Sequence, residues 1–239
     1  MVTKSQIKRI ISLQQKKYRK QLGLFFVEGE KLIEELLNSH FVLEELFVTE
    51  DIFTQVKERE MISDAELKKI SALTTANNCL AVFRIPEPQD ITEKNLVVAL
   101  DKIRDPGNLG TIIRLCDWFG IRDLVCSEDT VDLFNPKVLQ ATMGSIKRVN
   151  VNYVNLPDFL AQTKLPILGT FMEGDNLYKT DLPQDAIIVL GNEANGISPE
   201  IEKVITQKIT IPRFGNHTES LNVATATAIV LSELKRNQI

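Results

Sequence analysis

Residues 186–197 read AIIVLGNEANGI, an apolar run that ends abruptly in a polar, glycine-rich loop. A short, near-continuous apolar run is typical of a strand that is covered on both faces of a parallel sheet. Glycines at the end of a strand let a ligand approach the backbone closely and let the chain adopt positive φ. The stretch therefore predicts a parallel strand whose carboxyl end borders a ligand site.

Similar apolar runs lie on both sides of this stretch. They are LVVALD (96–101), DLVCS (123–127), VNVNYV (149–154), PILGTF (166–171) and KITIP (208–212). Helices are predicted between them, beginning at Asn108, Asn135-Pro136, Ser198-Pro199 and Ser220, where capping residues or a first-turn proline occur. Strands that alternate with helices predict an α/β domain with a parallel sheet.

The N-terminal part of the chain has a separate pattern. A basic helix is predicted over residues 5–20, strands over 24–29, 42–49 and 78–86, and helices over 30–39 and 63–71. The segment Pro86-Glu87-Pro88-Gln89-Asp90 follows and reads as a linker, because proline fixes φ and removes a donor. The sequence thus predicts two domains, residues 1–88 and 89–239.

Charge is distributed unevenly along the chain. The net charge is −4, yet residues 1–27 carry +7 and no acidic residue, which leaves −11 for the rest. A basic arm of this kind can contact nucleic-acid phosphates, and the residues expected to do so are Lys16, Lys17, Arg19 and Lys20. The same charges also fit the solvated face of a surface helix, and this alternative stays open.

Composition excludes several classes of protein. No apolar run reaches the roughly 18 residues of a membrane span, and the basic N-terminus lacks the features of a signal peptide. Cys79, Cys116 and Cys126 are odd in number and show no paired metal spacing. We therefore expect a cytoplasmic protein with no membrane association, no disulfide framework and no metal.

Three strand ends carry polar loops of similar character. One follows LVVALD and includes Asn108, one is LGNEANG (190–196), and one runs from Ile211 to Asn222. Each has an ordinary interpretation, since Asn108 and Ser220 are common helix caps and Arg114 fits a solvated helix face. LGNEANG differs from the dinucleotide fingerprint GxGxxG, which argues against an oxidoreductase. Neither His40 nor His217 is well placed for a Ser–His–Asp hydrolase.

Taken in order, the loops resemble the three motifs of the SpoU (TrmH) family of RNA ribose methyltransferases. The matching residues are Asn108, Gly110 and Arg114 in N-x-G-x-x-x-R; Leu190, Gly191, Glu193 and Gly196 in L-G-x-E-x-x-G; and Ile211, Pro212, Ser220, Leu221, Asn222, Val223, Ala224 and Ala226 in I-P…S-L-N-V-A-x-A. The N-terminal region also resembles the substrate-binding domain often attached to these enzymes, which is similar in fold to a small ribosomal protein.

The resemblance implies a function and an architecture. The function is S-adenosylmethionine-dependent methylation of a ribose 2′-hydroxyl in RNA, with ribosomal RNA favoured over transfer RNA. The architecture is a SPOUT α/β domain containing a trefoil knot, preceded by the smaller α/β domain and assembled as a homodimer. Two alternatives remain: a non-catalytic RNA-binding or ribosome-assembly protein, and a methyltransferase that acts on a base nitrogen.

The resemblance also assigns roles to residues. Arg114 activates the 2′-hydroxyl, either by transient loss of its proton or by binding the adjacent phosphate and stabilising the alkoxide. Asn108 and Glu193 position Arg114 and the RNA, and Ser220 and Asn222 complete the polar pocket. The loop 213–219 is longer than in many relatives and carries Arg213 and Phe214. The positions expected to bind the cofactor are Thr170, Gly191, Gly196, Ile211 and Leu221.

Overall fold

The computed structural model describes residues 1–92, 95–215 and 220–236. The chain divides into two compact units, Met1–Glu87 with Asp132–Lys147 and Pro88–Val131 with Arg148–Ile239. No pattern in the sequence indicated that residues 132–147 belong to the first unit, and the domain boundary at residue 88 stays a prediction. Within the described ranges, no helix has both the length and the apolar character that a membrane crossing requires.

The helices and strands are numbered along the chain. The strands are β1 (Leu24–Glu28), β2 (Leu43–Val48), β3 (Arg59–Met61), β4 (Cys79–Arg84), β5 (Leu96–Leu100), β6 (Asp123–Ser127), β7 (Asn150–Val154), β8 (Ile167–Asn176), β9 (Ala186–Leu190) and β10 (Gln207–Thr210). The helices are α1 (Lys4–Ser12), α2 (Lys16–Leu22), α3 (Glu30–Leu37), α4 (Asp64–Ile70), α5 (Pro106–Trp118), α6 (Pro136–Thr142), α7 (Leu156–Gln162), α8 (Pro199–Glu202) and α9 (Val223–Arg236).

The first unit is built on a four-stranded mixed sheet in the order β1-β4-β2-β3. Strand β1 is buried along its whole length, with alternate side chains on opposite faces. On one face Phe26 packs in a core with residues of α1 and α4, among them Ile10 and Leu67. On the other, the Phe25 ring lies 4.6 Å from that of Phe134, so an aromatic contact ties residues 132–147 into this unit.

The predicted single helix over residues 5–20 is wrong, because the chain breaks it into α1 and α2. Helix α1 begins with a capping box formed by Thr3 and Gln6. The break leaves the Leu13 carbonyl without a helical partner, and Arg19 Nη1 donates to that carbonyl at 2.7 Å. On one continuous helix the Leu13 carbonyl would accept from the Lys17 amide, so the break is what makes it available to Arg19.

The expected RNA contact at Arg19 is contradicted by its burial. Arg19 is 2% exposed, and its guanidinium forms an ion pair with Asp132, with Nε 2.9 Å from Oδ2. A buried guanidinium with a carboxylate partner cannot also hold a phosphate. Lys16, Lys17 and Lys20 are exposed and remain candidates for RNA binding.

The second unit contains a six-stranded sheet in the order β10-β8-β9-β5-β6-β7, in which every neighbouring pair is parallel. The prediction of an α/β domain with a parallel sheet is confirmed, and each predicted run forms a strand. Strands β5 and β9 lie at the centre and are fully buried. The sequence analysis missed α7 and the short strand β3, and the trefoil knot stays a prediction.

The observed helix caps change the interpretation of two motif residues. Helix α5 begins at Pro106, because the Asp105 side chain accepts a hydrogen bond from the Asn108 amide at 2.8 Å. Helix α9 begins at Val223, where the Asn222 side chain accepts from the Ala224 amide at 2.9 Å. Capping therefore does not account for Asn108 or Ser220, whereas Asn222 is itself a cap.

Candidate active site

The carboxyl ends of β8, β9 and β10 border a cavity of about 940 Å³. Since β5, β8, β9 and β10 run parallel, the loops that follow them meet at one edge of the sheet. The five positions expected to bind a cofactor all line this cavity, as do Glu193 and Ser220. Those five are Thr170, Gly191, Gly196, Ile211 and Leu221.

The loop after β9 folds back tightly on itself at Gly191. The backbone of Asn192 exchanges two hydrogen bonds with that of Gly196, at 2.9 and 2.8 Å. A Cβ atom on Gly191 would lie 2.2 Å from both the Gly196 carbonyl carbon and the Ile197 nitrogen. Only glycine fits such a close approach between backbone segments, so this glycine shapes the floor of the cavity.

Asn192 organises this loop, and the sequence analysis missed it. Its Oδ1 accepts from the amides of Ala194 and Asn195, at 2.9 and 3.3 Å, which forms an Asx turn. Its Nδ2 donates to the Lys102 carbonyl at 2.8 Å and so joins the β9 loop to the end of β5. Asparagine after a strand-end glycine is a turn signal that could have identified this residue.

The end of β5 is held in an uncommon conformation to receive these contacts. Lys102 has φ of 59°, in the left-handed region that non-glycine residues seldom adopt. Its amide donates to Ser127 Oγ at 2.8 Å. The preceding residue, Asp101, is 1% exposed, and its Oδ2 accepts from the Ser198 amide at 2.7 Å. The loop 192–198 is therefore tied to β5 near both of its ends.

Asn192→Ala is expected to lower the free energy of unfolding by roughly 1–3 kcal/mol, because it leaves the Lys102 carbonyl and two loop amides without partners. Asn192→Asp keeps the oxygen that accepts from those amides but places a carboxylate against the Lys102 carbonyl and Glu193. We expect repulsion from these two neighbours to raise the pKa of the new carboxyl in the folded state by more than the two donating amides lower it. The aspartate variant should therefore lose stability relative to wild type as the pH rises above the ordinary aspartate range. Urea unfolding at pH 4.5 and pH 7.5 measures this, and equal destabilisation at both values would contradict it.

Three motif residues, one from each loop, are linked by hydrogen bonds. Asn108 Nδ2 donates to Glu193 Oε1 at 2.7 Å, and Asn222 Nδ2 donates to Asn108 Oδ1 at 2.9 Å. Each side chain fixes the next, so the Glu193 carboxylate is held at the cavity lining, and its second oxygen, Oε2, accepts from Asn192 Nδ2 at 3.4 Å. We refer to Glu193, Asn108 and Asn222 as the polar relay.

Arg114 stands apart from the polar relay. It is an exposed residue of α5 and forms no hydrogen bond or ion pair with any residue in the described ranges. It does not line the cavity, whereas Ser220 does and is exposed there. The guanidinium is thus unengaged within the described part of the chain and sterically open to an external anion.

The described part of the long third loop also reaches the cavity. Arg213 and Phe214 line it and are exposed. Residues 216–219, which include His217, lie outside the described residues.

The cysteines do not supply a nucleophile to this site. All three are buried and free. Burial raises the pKa of Cys79 and of Cys116 to about 12, and burial also raises the pKa of Cys126. A methyl transfer that needs a cysteine thiolate is therefore not served by these groups at neutral pH.

Comparison with known proteins identifies both parts of the chain. The model of the SpoU rRNA Methylase family matches residues 95–232, and that of the MRM3-like substrate binding domain matches residues 4–81. A curated relative is 31% identical over 93% of this chain and 93% of its own length. It is the 23S rRNA (guanosine(2553)-2′-O)-methyltransferase RlmP of Bacillus subtilis strain 168.

Solved structures agree with this assignment. A TrmH-family protein from Porphyromonas gingivalis is 40% identical, with a TM-score of 0.92 over 99% of both chains. An rRNA methyltransferase from Sinorhizobium meliloti, solved with AdoMet bound, is 27% identical, with a TM-score of 0.89 over 100% of this chain and 97% of its own. The match over residues 95–232 covers more than half of the sequence, and the chain therefore belongs to the SpoU rRNA methylase family.

Proposed function

We propose that this protein transfers a methyl group from S-adenosylmethionine to a ribose 2′-hydroxyl of RNA. The polar relay carries the proposal, because it brings together one residue from each of the three loops beside a cavity suited to a small molecule. Membership of the SpoU family supports the same reaction. The buried, unreactive cysteines favour an oxygen acceptor over chemistry through a cysteine adduct.

The cavity lining fits a cofactor that is bound mainly by the main chain. Gly191 has no room for a side chain, so the backbone of the β9 loop is itself the contact surface. Gly191, Ile211 and Leu221 would hold the apolar and backbone-facing parts of the molecule, and Thr170 borders the same space. The Glu193 carboxylate lies on this lining and complements a positive charge. Bound S-adenosylmethionine supplies an electrophilic methyl group on a sulfonium.

The polar side chains account for how the hydroxyl is made reactive. The 2′-hydroxyl must lose its proton, here to water, as its oxygen bonds to the methyl carbon, and loss of the proton places negative charge on that oxygen. The bond between the methyl carbon and sulfur would break in the same step and leave its electron pair on sulfur, as a neutral thioether. Arg114 binds the neighbouring phosphate and stabilises this charge, a role that suits a guanidinium with no partner among the described residues. The polar relay orients the ribose, and alignment of this kind contributes much of the rate.

Ribosomal RNA is the substrate we favour. The Bacillus subtilis relative, named for 23S rRNA, matches 93% of this chain. A match of that extent must include most of residues 4–81, the part that matches a substrate-binding domain. We place the reaction in the cytoplasm, where three free cysteines remain reduced.

The test is a product analysis. Purified protein is incubated with methyl-labelled S-adenosylmethionine and unmodified transcripts of ribosomal or transfer RNA, and the RNA is digested to nucleosides. We expect a labelled 2′-O-methylnucleoside from ribosomal RNA. A labelled base would show that the acceptor is wrong. RNA binding without label transfer would favour the non-catalytic RNA-binding protein.

The exposed lysines of the first unit are proposed to hold RNA phosphates. Replacing Lys16, Lys17 and Lys20 with glutamine should reduce the slope of log affinity against log salt by roughly 0.7 for each phosphate that the protein no longer neutralises. Their effect on unfolding should be within about 0.5 kcal/mol, as for most surface substitutions. Arg19→Gln is the matched contrast. This substitution leaves the Asp132 carboxylate without its ion-pair partner, so it should lower the free energy of unfolding by about 3 kcal/mol. The slope of RNA affinity against salt should stay unchanged. An unaltered slope in the lysine variant would assign these lysines to an ordinary solvated helix face.

A homodimer is the proposed assembly, with the exposed face of α5 in the interface. Trp118 is 84% exposed there and lies one helical turn from Arg114, so a large aromatic surface has no cover within the described part of one chain. It is also the only tryptophan in the sequence. Its fluorescence should therefore be blue-shifted at micromolar concentration and move to longer wavelength on dilution, in step with the mass measured by light scattering. A solvent-exposed spectrum that is independent of concentration would contradict an interface at this face.

A further inference from the structure

Exposed apolar side chains line part of the cavity, and we call them the apolar rim. Phe214 is 92% exposed, Met172 59% and Leu221 48%, and all three line the cavity. They are three of the five large hydrophobic side chains exposed in the second unit among the described residues. Single exposed hydrophobic residues are common on protein surfaces, but their concentration around one cavity marks a binding surface.

Phe214 gains nothing for the fold in this position. A phenylalanine side chain stabilises a protein through the roughly 150–250 Å² that it buries, as a general range, and this one is almost wholly in water. The carbon face of the ring is therefore available to a flat partner. Arg213 precedes it and brings positive charge to the same part of the lining.

We propose that Phe214 stacks on the nucleobase of the nucleotide whose ribose is methylated, with the Met172 side chain as a further apolar contact for that base. This inference rests on the proposed function. Glu193 and Ser220 line the same cavity as Phe214, so a ribose held at the polar relay and a base stacked on Phe214 would share one cavity. Specific recognition of single-stranded RNA commonly uses aromatic side chains that stack on unpaired bases.

The adenine of the cofactor is the competing occupant of this rim. Three of the five positions suited to the cofactor, Thr170, Gly191 and Ile211, are half-buried and lie where the strands end, whereas Gly196 and Leu221 are exposed. Phe214 is nearly fully exposed, so a polymer in solvent can contact its ring. Because every base presents a π face, stacking here selects an unpaired nucleotide without choosing among bases.

The test separates RNA binding from cofactor binding in the full-length protein. We measure fluorescence anisotropy of a fluorescein-labelled 12-nucleotide single-stranded RNA of mixed sequence, and calorimetric binding of S-adenosylmethionine. Phe214→Leu, which keeps an apolar side chain but no ring, should weaken RNA binding by roughly 5- to 150-fold. Phe214→Trp keeps an aromatic ring and should bind RNA about as tightly as the wild type. In both variants the cofactor affinity should stay within about twofold of the wild-type value.

Tyr178→Leu is the matched control, because Tyr178 is also exposed but does not line the cavity. A direct readout comes from Phe214→Trp combined with Trp118→Phe, which leaves one tryptophan at the rim. RNA should quench its fluorescence, and the cofactor alone should not. Unchanged RNA affinity in Phe214→Leu, or a parallel loss of cofactor affinity, would overturn the proposal. The binding assays need no turnover, so a wild-type protein without methylation activity would count against the proposed function alone.

Discussion

Arg114→Ala should reduce methyl transfer by roughly 100- to 1,000-fold while the affinity for S-adenosylmethionine stays at the wild-type value. That range is typical for removal of a group that stabilises developing negative charge. Arg114 is exposed and has no side-chain partner within the described ranges, so its removal should leave the fold intact. Single-turnover methylation of ribosomal RNA transcripts and calorimetry with the cofactor measure the two quantities.

Two further variants interpret this result. Arg114→Lys keeps the positive charge but replaces the planar guanidinium, which can donate two parallel hydrogen bonds, with an ammonium group. It should therefore recover only part of the rate that Arg114→Ala loses. Arg122→Ala removes another exposed arginine of the same unit and should have little effect. Near-normal turnover in Arg114→Ala would show that the activating group is a different one. A loss of cofactor affinity would place Arg114 in the cofactor site.

Gly191→Ala should abolish cofactor binding and destabilise the protein. The added Cβ would meet backbone atoms at 2.2 Å, which neither strand end nor loop can relieve by rotating a side chain. We expect a loss of about 3 kcal/mol or more in the free energy of unfolding. Loop displacement should weaken S-adenosylmethionine binding by about 100-fold or more, which corresponds to roughly 2.7 kcal/mol. Denaturant unfolding and calorimetry measure these effects.

Two other glycines, which leave more room for a Cβ atom than Gly191 does, provide control substitutions. Gly196 has φ of 66°, but the space that its Cβ would occupy is open, so Gly196→Ala should cost only the backbone strain of about 1–2 kcal/mol. A Cβ on Gly215 meets nothing within 4 Å, and Gly215→Ala should be nearly neutral. Equal behaviour of all three variants would mean that the close approach at Gly191 does not shape the site.

The apolar runs predicted the second unit well, because burial on both faces leaves a clear signature in a parallel strand. The six runs all form strands, and the loops that follow β5, β9 and β10 supply the polar relay. Helix starts were predicted less well at the site itself. Asp105 and Asn222 cap α5 and α9, where Asn108 and Ser220 were expected. A helix start predicted from sequence is uncertain by two or three residues, and at this site that uncertainty is enough to confuse a capping residue with a functional one.

Other features depend on contacts that no local pattern encodes. Arg19 belongs to a basic run and was expected on the surface, but its partner Asp132 is 113 residues away in the sequence. Asn192 occupies a variable position of its motif, and its importance becomes visible only when the Lys102 carbonyl lies beside it. Long-range pairing of this kind requires the three-dimensional structure.

The distances in sequence that the polar relay and its supports span have a consequence for biosynthesis. Asn108 bonds to residues 85 and 114 positions further along, and Asp101 to one 97 positions away. Each of these contacts can form only after its more distant partner has been synthesised, and Asn222 follows Asn108 by 114 positions. A nascent chain that has not reached residue 222 can therefore contain every strand of the parallel sheet and still lack the complete polar relay.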